Sequence, residues 1–192
     1  MKLLVLSFSV IYFSHCTFSQ AQNTSFALKG GLNIASVSGL DNNRSRADFL
    51  LGFAANRHFT SGFSLQPEIY YSNQGAMFKD SEVELKYQYL NMPLLLKMHF
   101  SKLHVFFGPQ IGLLITAKEK NNSETTDVTA SIDNIDASAA IGFGLSVSQH
   151  LSFDLRYIHG VHDIRKNYNK TGRALYHKVF QLNIFYSIGK GK

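Results

Sequence analysis

The chain has one cysteine, Cys16, and no tryptophan. Cys16 lies so close to the N-terminus that the remainder of the chain holds no thiol. Disulfides, cysteine nucleophiles and thiolate metal sites are therefore excluded from it. Acidic residues are few: 13 Asp and Glu stand against 19 Lys and Arg, a formal net charge of +6. The basic residues are scattered through segment ends and polar stretches, with no compact basic helix, and nucleic acid is excluded as a partner on that ground. Long apolar runs are also missing. The longest, Leu3 to Phe13, falls short of the roughly 20 residues that a spanning helix needs.

That run has the marks of an export signal. Lys2 precedes it, and Ser19-Gln20-Ala21 places small residues where a signal peptidase reads them. The expected division is a signal peptide at 1–21, cleaved before Gln22, and one domain at 22–192. Acylation of Cys16 would need a small residue before it, where His15 stands.

What the sequence has in abundance is alternation. Leu28, Gly30, Leu32 and Ile34 are two apart, as are Phe49, Leu51 and Phe53, and Phe180, Leu182, Ile184 and Tyr186. A period of two means β-strands. Eight such strands are predicted, at about 26–36, 49–58, 63–73, 85–100, 103–117, 135–147, 151–159 and 176–188, and Pro67 should cause a bulge or a lost ladder bond. The connections alternate: short turns at 60–62, 101–102 and 148–150, and long polar loops elsewhere. An even number of strands joined by alternating short turns and long loops predicts an all-β fold, an eight-stranded antiparallel up-and-down transmembrane barrel. The short-turn side, with both termini, would be periplasmic.

The two faces of the strands differ. Phe26, Leu28, Phe107, Ile111, Leu113, Ile141, Phe143 and Leu155 belong to the apolar set expected to meet lipid. Lys29, Glu68, Gln110, Asp154 and Arg156 belong to the other. Tyr71, Tyr87 and Tyr176 toward the loops, and Phe63, Phe100 and Phe153 toward the turns, suit interfacial girdles. A soluble lipocalin-like carrier would use the same period with the faces reversed.

Several segments also carry a family likeness. The opening 26–33, Phe-Ala-Leu-Lys-Gly-Gly-Leu-Asn, is one. Tyr-Leu-Asn-Met-Pro-Leu-Leu-Leu-Lys at 89–97 is the most specific. Phe-Gly-Pro-Gln-Ile-Gly at 107–112 and Leu-Arg-Tyr-Ile-His-Gly at 155–160 complete the set. Together they resemble the PorT-like outer-membrane β-barrel domain, a porin-type family common in Bacteroidetes. The resemblance covers essentially all of 22–192 and implies an eight-stranded outer-membrane barrel. It brings no catalytic motif with it. The last strand departs from the usual barrel ending, since Ile188-Gly189-Lys190-Gly191-Lys192 has no terminal aromatic.

Two groups of residues are candidate sites. Glu68, Lys97, Asp154 and Arg156 should point into the lumen, either as a proton or ion path or as a salt-bridge network filling a barrel just wide enough for side chains; size favours the network. Arg165, Lys166, Lys170 and Arg173, in the loop before the last strand, could hold lipopolysaccharide phosphates or an acidic envelope protein. His159, His162 and Asp163 match no metal motif, and His99 and His104, flanking a turn, are expected to be interfacial or solvated. Ser72, Ser138 and Ser146 lack the spacing of a Ser–His pair. The sequence therefore predicts a monomeric, non-enzymatic outer-membrane barrel without cofactor or metal, surrounded by outer-membrane lipid. It would act in envelope structure, adhesion or partner binding through its exterior loops. A lipid-modifying enzyme and the soluble carrier are the alternatives.

Overall fold

The computed structural model describes residues 24–38, 43–78, 83–121, 124–161, 163 and 175–188. Its strands are β1 (Thr24–Ser38), β2 (Asn43–His58), β3 (Phe63–Phe78), β4 (Val83–Phe100), β5 (Leu103–Asn121), β6 (Glu124–Asp127), β7 (Ile135–Ser146), β8 (Leu151–Gly160) and β9 (Tyr176–Ser187). Each of β1–β5 and β7–β9 pairs antiparallel with its neighbours in the chain, β6 being passed over. β1 also pairs with β9, which closes an eight-stranded barrel. Closure leaves no unpaired edge in the membrane, where no water could satisfy one.

The alternation reads out as two faces. Phe26, Leu32, Phe49, Leu51, Phe107, Ile141, Phe143 and Leu155 are exposed on the outside, while Lys29, Asn33, Glu68, Tyr70, Asn91, Asp154 and Arg156 are buried inside. A soluble carrier needs the opposite arrangement, and that reading is overturned. Among the described residues no helix is long and apolar enough to cross a membrane. The strands are: a membrane strand needs about 9–11 residues, and the shortest wall strand, β8, has 10.

The short connections at 59–62, 101–102 and 147–150 all lie at one end of the barrel. Ser101 takes a left-handed φ of 58° in the two-residue turn between β4 and β5, as tight hairpins require. Because one end is fixed by these turns, extra length accumulates at the other. There β4 and β5 run to 18 and 19 residues and pair as far as Val83–Asn121, whereas β5 and β7 stop pairing at Leu113–Ile135. The upper part of β5 is covered instead by β6, which folds back on Lys118–Asn121, and by the 3-10 turn Thr129–Ser131. Hydrogen bonds from Thr129 hold the exposed Asp127 carboxyl below its usual pKa.

Two details differ from the sequence expectation, and at Pro67 one of the two expected outcomes is found. β2 begins at Asn43, where no alternation marks it; a register shift between Ser45 and Leu50 separates this extension from the lipid-facing part. Pairing lapses beside Pro67 on both sides, but the register on either side of the gap is the same, so the ladder loses bonds without a bulge. The bulge lies elsewhere. Gln88 pairs with Thr116 but Tyr89 with Leu114. This slip reverses the faces of β5 above it, so Ala117 is fully buried although Leu113 and Ile115 face outward.

Candidate functional site: the filled lumen

Eight strands enclose a space that side chains can fill, and here they fill it in tiers. Toward the short-turn end lies a charged cluster in which Lys29, Glu68, Lys97, His104, Asp154 and Arg156 are each at most 5% exposed. Arg156, on β8, grips Glu68, on β3, with both terminal nitrogens, Nη1 to Oε2 at 2.9 Å and Nη2 to Oε1 at 2.7 Å. Lys29 Nζ donates to the same carboxylate at 2.8 Å and sits 3.7 Å from the centre of the Tyr70 ring. Gln66 joins this group to a second one: its Nε2 donates to Glu68 Oε1 at 2.6 Å and its Oε1 accepts from Lys97 at 3.0 Å. Lys97 lies 3.5 Å from Asp154 Oδ2, and His104 Nε2 lies 2.8 Å from Asp154 Oδ1.

The structure thus brings Glu68, Lys97, Asp154 and Arg156 into one connected set and adds Lys29, Gln66 and His104 to it. Lys29 and His104 were legible as inward-facing from the period of two. The expectation that His104 is interfacial or solvated is corrected, since its ring is buried against Asp154. Gly144 makes this possible. A Cβ there would overlap Asp154 Oδ1 and His104 Nε2. Gly142 likewise yields its space to the Phe106 ring, whose centre is 5.1 Å from Arg156 Cζ.

Above the charges is a tier of neutral polar groups. Tyr70 Oη donates to Gln110 Oε1 at 2.8 Å and accepts from Gln181 Nε2 at 3.2 Å. Gln110 Nε2 donates to Asn91 Oδ1 at 3.1 Å, and Asn91 Nδ2 donates to Ser72 Oγ at 2.9 Å. The tier nearest the long loops is largely apolar. Tyr87, Tyr89, Ala117 and Ile132 form a buried cluster with Leu85, Leu114, Val128 and Leu175 against it, and both tyrosine rings meet His177 edge-on. Ile132 and Val128 come from the segment that folds back over β5, so this segment stoppers the mouth. Tyr87 is accordingly inside the barrel, and its expected place in an interfacial girdle is corrected.

The serines offered by the sequence form no catalytic pair. Ser72 bonds to Asn91 and Gln74, and Ser138 lies 3.4 Å from Gln110. The Ser–His contact that does exist, Ser64 Oγ to His99 at 2.8 Å, uses a serine with no exposed surface. Among the described residues no three His, Cys, Asp or Glu side chains are grouped to hold a metal ion. His162 and the loop residues Arg165, Lys166, Lys170 and Arg173 lie outside the described residues.

An apolar exterior, a polar lumen and closed antiparallel pairing define an integral membrane β-barrel. The chain belongs to the outer membrane protein beta-barrel domain family, whose model matches residues 18–166, and the outer membrane is where such a barrel resides. No curated protein matches it by sequence. Among solved structures it is similar to Neisserial surface protein A, with a TM-score of 0.59 at 11% identity over 85% of this chain and 97% of that one. It is similar also to the attachment invasion locus protein of Yersinia pestis, in complex with the heparin analogue sucrose octasulfate, with a TM-score of 0.53 at 11% identity over 86% and 99%. A third, the outer membrane enzyme PagL, has a TM-score of 0.50 at 12% identity over 82% and 98%. At these identities the likeness is one of fold, and a fold that carries both an attachment protein and an enzyme does not by itself specify an activity.

Proposed function

We propose that this chain is a non-enzymatic outer-membrane barrel whose lumen is filled by its own side chains and which works through its long-loop end, in envelope structure, adhesion or partner binding. The observation that carries this reading is the stack of charged, polar and apolar tiers through the lumen, because it leaves the exterior loops as the surface available to partners. An export signal at 1–21 would deliver the chain to the periplasm, and the segments quoted above support a PorT-like, Bacteroidetes-type lineage.

Within this reading, Arg165, Lys166, Lys170 and Arg173 give the loop before β9 a positive charge that attracts lipopolysaccharide phosphates or an acidic envelope protein. Replacing the four with Gln leaves the barrel folded, since loops tolerate change. It weakens co-purification of the partner at low salt, and high salt does the same to the wild-type protein. A folded variant that retains the same partner at both salt concentrations contradicts this role for the loop.

A further inference from the structure

The charged tier does not close the short-turn end of the barrel. Beneath it opens a cavity of about 700 Å³ whose walls come from β1 to β5, β7 to β9 and the turn at 148–150. This volume falls in the range of pockets that take a small molecule, roughly 300–1,000 Å³. Its lining is one-sided in charge. Lys97, His58, His99, His104 and His150 face it, together with serine hydroxyls and side-chain amides, and among the described residues its lining includes no aspartate or glutamate.

Three of the imidazoles are set in a row. The His99 ring centre is 4.9 Å from that of His58 and 5.8 Å from that of His104. Ser64 fixes His99 from behind, and Asp154 fixes His104. His104 Nδ1 is buried and has no hydrogen-bond partner among the described residues. The lumen behind the row is also short of negative charge: Lys29, Lys97 and Arg156 stand against Glu68 and Asp154. Since Arg156 is committed to Glu68, no guanidinium fork is offered for a planar carboxylate. A lysine point charge, imidazoles and hydroxyls spread around a cup instead suit an anion with oxygens in several directions.

We propose that the periplasmic mouth of the barrel is a binding site for a small phosphate-bearing group. Its charge is met by Lys97 and by the imidazoles of His58, His99, His104 and His150. The groups facing the row from the packed elements are Lys97 on β4, Asp154 on β8 and, deeper, Lys29, Glu68 and Arg156. The site is independent of the exterior loops and of what they bind.

The test is a titration of the full-length protein in phosphatidylcholine nanodiscs with inorganic phosphate, read by NMR of the histidine rings, with sodium chloride as the ionic-strength control. The expected result is a saturable shift of the His58, His99, His104 and His150 rings on adding phosphate that sodium chloride at the same ionic strength does not reproduce. His177, in the opposite half of the barrel, stays unchanged and reports that the fold is intact. His58→Gln combined with His150→Gln, two positions outside the buried network, weakens binding about tenfold. Nanodiscs containing phosphatidylglycerol distinguish the sources. The same shifts without added phosphate identify the group as a lipid headgroup, and shifts only on adding phosphate identify a soluble ligand. Histidine rings that ignore phosphate in both kinds of nanodisc, or that respond equally to chloride, overturn the proposal.

Discussion

Arg156 and Glu68 are 88 residues apart in the chain and face each other across the lumen, joined by two parallel hydrogen bonds of 2.7 and 2.9 Å. This paired geometry is the strongest a guanidinium and a carboxylate can adopt. It ties β8 to β3, strands that are not neighbours in the wall, and so braces the barrel across its width. With Lys29 on β1 joined to the same carboxylate, the brace is three-pointed.

Removing both members should therefore cost less than the sum of the two single losses. Arg156→Met leaves Glu68 with Lys29 as its remaining cation and is expected to destabilise the folded barrel by about 3 kcal/mol, at the lower end of the effect of breaking a buried pair. The double variant Arg156→Met with Glu68→Leu also strands Lys29, so it should still be destabilised, but by less than the two single losses added together. Urea unfolding in lipid vesicles, compared across the four proteins as a double-mutant cycle, measures the coupling. Additive losses would show that the two residues do not act as a pair.

The lipid-facing assignment gives a prediction that depends on depth. Ile141 is 60% exposed on the outer face and pairs with Phe107 on one side and Tyr157 on the other, near the middle of the wall. Ile141→Arg is expected to cost about 2–4 kcal/mol, and Val147→Arg, at the short-turn rim, about 0–1 kcal/mol. Equal costs in the vesicle unfolding assay would contradict the placement of these residues relative to the bilayer.

Gly144 offers a steric test of the charged tier. With a methyl group at this position, the His104–Asp154 pair must move. Gly144→Ala is expected to destabilise the barrel by about 1–3 kcal/mol, the usual cost of overpacking, and to displace the His104 ring resonance. An unchanged His104 resonance would mean that the pair does not occupy the space beside Gly144.

Much of this architecture was legible in the sequence, because the period of two carries both the strands and their faces. Leu28 and Lys29, or Leu155 and Arg156, declare outside and inside by adjacency alone. The connection lengths gave the sidedness. What was not legible had no periodic signature. The extension of β2 through Arg46 and Asp48 is polar on both faces, and Arg46 ties it to Glu84 on β4 by an ion pair of 3.3 Å rather than by an apolar contact. The return of 124–132 over the barrel mouth depends on Ile132 finding Tyr87 and Tyr89, a contact that no local pattern announces. The slip at Gln88 and Tyr89 changes which face Ala117 presents, and a bulge in the absence of glycine or proline leaves no mark in the sequence. Of the charged tier, period two named the members but not their pairing, which requires knowing that β3 faces β8.

The central claim is that side chains fill the lumen from the charged tier to the tyrosine stopper. Single-channel recording of the purified protein in planar bilayers tests it most directly. No steady open conductance is expected at neutral pH. A stable, porin-like current from the wild-type protein would contradict it.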